Sequence, residues 1–217
     1  MHNAVFDLDG TLYSENTMVA LLERLHGRHA PARAWCLRGS RSLPARALWR
    51  ALNELTRRDV FRACALATLR GYREDIVLRA VTEYVAELDP KADLEVMGRL
   101  EEYRARGARL WLASASLEPI AAAVAQRLGM DGWVGSRPMV REGRYTGSWA
   151  DDVRGRKLEA LRLRFADVTT FDVVTDNFDD ADLIDASKRA VAVIEPAHLR
   201  RWRARFGDAL ETIERAS

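Results

Sequence analysis

Of the 34 basic residues in this chain of 217, only Lys91, Lys157 and Lys188 are lysines. Cysteine is scarcer still, and Cys36 and Cys64 are too few for a disulfide framework. Excess charge is nearly absent as well. The 34 basic and 32 acidic residues leave a net charge of +2, which argues against a dedicated nucleic-acid binder. No run of about 18 apolar residues occurs, so no transmembrane helix is expected. Asp7 and Asp9 fall too early for a secretory signal at the N-terminus. These absences point to a soluble, cytoplasmic protein with no nucleic-acid partner and no stable membrane insertion; they leave the oligomeric state open. What is present is enough for a core: 48% of residues are apolar and 30% charged, which excludes a disordered chain or a coiled coil. The length suits one domain carrying an insertion.

The apolar pattern divides the chain. Ala4-Val5-Phe6 is a short buried strand broken at once by the polar turn Asp-Leu-Asp-Gly-Thr. From Thr17 to Leu88 the spacing is helical. Met18, Leu21, Leu22 and Leu25 share one face, Pro31 and Pro44 interrupt it, and Val77, Val81 and Val85 resume it. Beyond Leu94, strands and helices alternate. Arg109 to Ala113 reads as a strand, and Ser114-Ala-Ser116 opens a helix that closes at Gly129. Trp133-Val134 and the segment Gly143 to Gly147 suggest a strand and a hairpin, and Lys157 starts another helix. Phe171 to Thr175 and Ala190 to Ile194 are strands; Leu199, Trp202, Phe206 and Leu210 face one side of a final helix. Such alternation specifies an α/β fold, a Rossmann-like parallel sheet with helices on both faces. The expected core is residues 1–15 and 91–217, and residues 16–90 form an inserted all-helical cap.

In open α/β sheets, ligands bind beyond the carboxyl ends of the strands, at the topological switch point. The polar residues that follow the apolar runs are Asp7 and Asp9, then Ser114, then Asp176 and Asp180, with Lys157 at the start of the intervening helix. Crowded carboxylates raise one another's pKa unless a cation compensates. A hard divalent ion does so, and Mg²⁺ takes one or two carboxylates plus phosphate oxygens. A site of this composition suits phosphoryl transfer, where positioning and charge neutralisation supply most of the catalysis.

The segments Asp7-Leu-Asp9-Gly10-Thr11, Ser114 after an apolar strand, Lys157, and Asp176-Asn-Phe-Asp-Asp180 resemble, in order, the motifs of the haloacid dehalogenase superfamily. Leu112-Ala-Ser-Ala-Ser-Leu-Glu-Pro-Ile, Gly143-Arg-Tyr-Thr-Gly and Gly155-Arg-Lys157 are similar to its phosphoserine-phosphatase-like branch, which carries a helical cap. The resemblance implies a Mg²⁺-dependent, two-step hydrolysis of a small phosphate monoester. Asp7 would attack phosphorus and form an aspartyl-phosphate. Asp9 would protonate the leaving alcohol and then activate water, a role that needs a raised pKa. Gly10, Thr11, Ser114, the N–H of Ala115 and Lys157 would hold the phosphate. The metal would sit on Asp7, the Asp9 carbonyl oxygen and Asp176, with Asp180 acting through water. Asp9 separates ester hydrolysis from the halide-displacing members and those that stop at a stable aspartyl-phosphate, which lack an acid there.

Plainer roles compete with these. Asp9-Gly10 alone is a common turn, Ser114 alone a helix N-cap. Asp179 competes with Asp180, and the spacing from Asp176 favours Asp180. His26 and His29 are expected at the surface, Trp35 and Trp49 between cap helices, and Trp111 in the core. Thr17 to Gly71 holds 11 arginines and three acids, a local net of 11 − 3 = +8. That is either a solvated face or a means of steering an anion. Phosphoserine and a phospholipid head group such as phosphatidylglycerophosphate are alternative substrates. The Gly-Gly pair usual after the second-motif serine of phosphoserine phosphatases is Ala115-Ser116 here. A phosphate-ester binder or phospho-aspartate switch is the alternative from another class, and it would leave Asp9 without a task.

Overall fold

The computed structural model describes residues 2–39, 42–56, 59–207 and 210–215, and the side chain of Cys36 lies outside that description. The chain forms two compact units: Met1–Asn16, Val85–Ser136 and Asp152–Ser217 make one, Thr17–Tyr84 and Arg137–Asp151 the other. Among the described residues no helix is long and apolar enough to cross a membrane.

The first unit is built on parallel strands β1 (Asn3–Phe6), β2 (Arg109–Leu117), β3 (Gly132–Arg141), β5 (Asp172–Thr175), β6 (Ala190–Ile194) and β7 (Glu211–Glu214), in the order β3-β2-β1-β5-β6-β7. Helices α6 (Leu94–Ala105), α7 (Glu118–Arg127), α8 (Lys157–Arg164), α9 (Ala181–Ala186) and α10 (Leu199–Phe206) connect and flank them. The result is an α/β, Rossmann-like sheet. Both faces of these strands are covered, which is why β1 and β5 are buried along their whole length and read as continuous apolar runs. One core cluster joins Val5, Trp111, Ala113, Val173 and Ala192 of the strands to Leu161, Leu183 and Trp202 of the helices. Trp111 is in that core as expected, its indole N–H donating to Asn3 Oδ1 at 3.1 Å. From central β1 the chain winds through β2 and β3 on one side and β5, β6 and β7 on the other. That reversal is the switch point.

The second unit contains α1 (Thr17–His29), α2 (Pro31–Gly39), α3 (Leu43–Thr56), α4 (Val60–Ala67) and most of α5 (Glu74–Ala86). It is not all helical. The outer half of β3 and β4 (Arg144–Asp151) form an antiparallel hairpin within it. Glu142 and Gly143 turn that hairpin with φ of 51° and 69°. Its outer edge is used: Tyr145 O accepts from Gly71 N–H and Tyr145 N–H donates to Tyr72 O, both at 2.9 Å. Close approach to α4 requires Gly147, where a Cβ would lie 3.0 Å from Ala67 Cα. Backbone pairing between segments far apart in sequence recruits the hairpin, and helical periodicity cannot report that.

Three further details differ from the sequence pattern. Strand β2 runs on to Leu117 through a register shift after Ala113, so Ser114 lies in an irregular strand end and α7 starts at Glu118. The last helix stops at Gly207 (φ 88°), and β7 follows as a short edge strand whose Ile213 alone is buried. Trp35 is 76% exposed, whereas Trp49 does pack between helices, on Phe61.

His26 corrects the surface assignment: it is fully buried. Its Nδ1 lies 2.9 Å from Tyr72 Oη and its Nε2 2.7 Å from Thr68 Oγ1. Since the Thr68 hydroxyl already donates to Ala65 O, Nε2 carries the proton and Nδ1 accepts from Tyr72. Burial, and secondarily the Arg33 charge, pull the His26 pKa down to about 4. A group with a depressed folded pKa contributes stability that is present above its unfolded value near 6.5 and is lost as pH falls toward 4. An NMR titration should therefore show the His26 imidazole neutral down to about pH 4. His26→Gln should flatten the fall in stability between pH 6.5 and 4, whereas a His26 midpoint near 6.5 would contradict the network.

Candidate active site

The register sets the site. Phe6 pairs with Leu112 on one side and Val174 on the other, so the residues that follow leave the sheet at one level. Asp7 N–H still donates to Val174 O at 2.9 Å, and the chain then turns through Leu8 to Gly10. The turn is tight because Gly10 adopts φ +77° and an added Cβ would sit 2.1 Å from Asp176 Oδ2. Only glycine lets this loop pass so close to the end of β5.

Lys157, at the first turn of α8, points inward and is 1% exposed. Its Nζ donates to Asp180 Oδ2 at 2.7 Å and lies 2.9 Å from Asp7 Oδ1. Thr175 Oγ1 donates to Asp180 Oδ2 at 2.8 Å and is 3.5 Å from Asp7 Oδ2. Leu8 N–H adds a 2.7 Å bond to Asp7 Oδ1. A second knot lies beside the first. Thr11 Oγ1 donates to Asp176 Oδ1 and accepts from Asp176 N–H, both at 2.8 Å, so its hydroxyl is committed to Asp176. Arg215 reaches Thr11 O at 3.3 Å and Asp93 Oδ2 at 3.2 Å.

The electrostatics follow from one ammonium among two buried carboxylates, Asp7 and Asp180, with half-buried Asp176 beside them. Burial pulls the Lys157 pKa down, but Asp7 and Asp180 push it up by more, and the ammonium stays protonated. Burial lifts Asp7 to about 6 against the pull of Lys157, with the Asp176 charge adding to the rise. Asp180 is lifted to about 6 in the same way, and burial raises Asp176 despite the Thr11 hydroxyl and Arg215. Negative charge remains in excess even with Lys157 in place.

The structure therefore joins Asp7, Lys157 and Asp180 in one side-chain cluster and Thr11 with Asp176 in a second. Asp9 is half-buried two residues beyond Asp7, and buried Ser114, with Ala115 after it, lies in the irregular last part of neighbouring β2. Ser114 Oγ accepts from Ser116 N–H at 3.0 Å, a local turn contact rather than a cap. Asp179 lies outside the cluster, exposed and paired with Arg154 at 3.1 Å. Thr175 and Arg215 were missed: a threonine in an apolar strand reads as a β-former, and an arginine near the end of the chain carries no positional signal.

The family model for haloacid dehalogenase-like hydrolase matches residues 4–177. The chain belongs to that family. No curated protein matches this hydrolase. Among solved structures, a protein of unknown function from Bordetella pertussis Tohama I is 19% identical over 98% of each chain, with a TM-score of 0.75. A phosphoserine phosphohydrolase-like protein from Francisella tularensis subsp. tularensis is 15% identical over 98% of the hydrolase and 95% of that chain, TM-score 0.64. An apo phosphoserine phosphatase is 16% identical over 98% and 92%, TM-score 0.63. Identities this low establish a shared fold and nothing finer.

Gly10→Ala should destabilise the hydrolase by roughly 1–2 kcal/mol from the left-handed backbone alone, and by more through displacing Asp176. Urea unfolding measures this, and a change within error of zero would mean that the loop does not need glycine.

Proposed function

We propose that the protein is a phosphatase that hydrolyses a small phosphate monoester through an aspartyl-phosphate on Asp7. The observation that carries this reading is the buried Lys157 ammonium between Asp7 and Asp180, at 2.9 and 2.7 Å. It keeps a carboxylate at the tip of the central strand oriented, ionised near neutral pH and shielded from water. Those are the requirements of a carboxylate nucleophile.

The roles follow from position. Asp7 attacks phosphorus while the leaving oxygen takes a proton from Asp9, which then removes one from the water that cleaves the acyl-phosphate. Ser114 and the N–H of Ala115 hold phosphate oxygens, and Lys157 offsets charge on the nucleophile and the phosphate. Gly10 lets the loop close on Asp176. Thr11 acts in this reading by fixing Asp176 through its hydroxyl.

The donor chemistry fits Mg²⁺. The oxygens are hard, Asp7 and Asp180 are buried with Asp176 half-buried beside them, and burial raises Asp7 and Asp180 to about 6. Among the described residues no three His, Cys, Asp or Glu side chains form a metal cage. Mg²⁺ takes one or two carboxylates and fills its shell with water and phosphate oxygens. Asp7, the Asp9 carbonyl oxygen and Asp176 would hold it, with Asp180, committed to Lys157 and Thr175, behind them. When bound, Mg²⁺ would draw in and neutralise the phosphate. Phosphoserine or a phospholipid head group would be accommodated by the same chemistry.

Incubation with p-nitrophenyl phosphate and Mg²⁺ tests the assignment. Wild type should turn over, and Asp7→Asn should lower kcat/KM by roughly 10³-fold or more. No turnover by wild type, or undiminished turnover by the variant, would overturn it. The metal has its own signature. Carboxylates with raised folded pKa values stabilise the fold below their unfolded values near 4, and that stability is lost as pH rises through about 6. Mg²⁺ competes with those protons, so it should raise Tm more at pH 7.5 than at pH 5, reversibly with a chelator. Equal shifts at both pH values would count against the site.

A further inference from the structure

The second unit contains a cleft of about 430 Å³ whose wall is made largely of arginine: Arg33, Arg70, Arg73 and Arg144, with His29 and Tyr72 between them. The four come from α2, the turn after α4, the residue before α5, and the tip of the β3–β4 hairpin. None belongs to the residues proposed to act on the phosphate ester. Like charges gathered from four segments cost stability unless something compensates them.

Little in the protein does. Arg73 is neutralised, since Nε and Nη2 bond the two oxygens of Asp75 at 2.9 and 3.1 Å. The same Asp75 lies 3.8 Å from Arg79. Among the described residues no carboxylate pairs with Arg33, Arg70 or Arg144. Two of these are instead anchored on backbone. Arg33 Nη1 donates to Thr68 O at 2.8 Å, and Arg144 Nη1 donates to Gly71 O at 2.8 Å. Each bond uses one corner of a five-donor guanidinium and fixes the rest of the fork. Arg33 also lies over the Tyr72 ring, 5.7 Å from its centroid, and buried His26 holds the Tyr72 hydroxyl. The cleft meets the start of α5 at Arg73 and Ile76, where Glu74 and Asp75 of the first turn offset the positive helix end, so the attraction for an anion rests on the arginines.

We propose that this cleft binds a small phosphate-bearing anion. Planar guanidinium forks that are anchored but not neutralised match the geometry and charge of a phosphoryl group. The space exceeds one phosphate and leaves room for the group that carries it. A free phosphate compound and a phospholipid head group offer the same chemistry.

Titration of the arginine Nε–Hε resonances at fixed ionic strength tests this. One arm uses pyrophosphate, the other phosphatidic acid in phosphatidylcholine vesicles. A saturable response at Arg33, Arg70 and Arg144 in either arm is expected, and the arm that gives it identifies the source. Arg70→Gln should weaken that response about tenfold. This variant removes the arginine that anchors no backbone carbonyl, so the fold is preserved; an unchanged Tm checks that. Asp7→Asn should leave the response intact, which separates this inference from the proposed hydrolysis. No saturable response in either arm would overturn the site, as would equal responses from arginines throughout the chain or one insensitive to Arg70→Gln.

Discussion

Lys157 brings a full positive charge into a space closed to water, and it stays charged only because Asp7 and Asp180 lie within 3 Å of its ammonium. Removing Lys157 would leave two buried carboxylates without their counter-charge, which costs several kcal/mol. The rest of the site is arranged around this constraint. Thr175 supports Asp180 from the floor of the sheet, Leu8 N–H orients Asp7, and Thr11 keeps Asp176 beside them. The balance is incomplete by design of the sequence: three carboxylates face one lysine, and the deficit is what a phosphate-bound cation would make good on the proposed chemistry.

The sheet makes the triad possible. Parallel strands end together, and their C-terminal ends meet where the winding reverses about β1. Asp7 and Asp180 come from either side of that reversal, and Lys157 enters from the helix that precedes β5. Gly10 closes the arrangement, because the loop after β1 passes Asp176 at a distance that forbids a side chain. Positions far apart in the chain thus become neighbours through strand order alone. The second unit has its own electrostatic logic: Arg73 pairs with Asp75, whereas Arg33 and Arg144 are anchored on backbone carbonyls and Arg33 lies over the Tyr72 ring.

Much of the core was legible because its signals are local. A short apolar run followed by a carboxylate marks a strand end, and lysine is so rare here that Lys157 stood out. Asp180 was separable from Asp179 by spacing, and the structure puts the first in the cluster and the second on the surface. What was illegible depends on partners remote in sequence. Thr175 looks like any β-former until Asp180 folds back onto it. β7 buries only Ile213, and its place in the sheet comes from pairing with β6. His26 sits in a polar-looking His-Gly-Arg-His segment, and only Thr68 and Tyr72, brought from over 40 residues away, make its burial tolerable. The hairpin that completes the second unit is likewise recruited by backbone bonds to the turn after α4.

The central claim is that Asp7, held by Lys157, becomes covalently phosphorylated. Rapid quenching during turnover, followed by borohydride reduction and peptide mass spectrometry, tests it most directly. Reduction of an acyl-phosphate should convert residue 7, and no other aspartate, to homoserine. Homoserine at a different position, or none under conditions of steady turnover, would contradict the account.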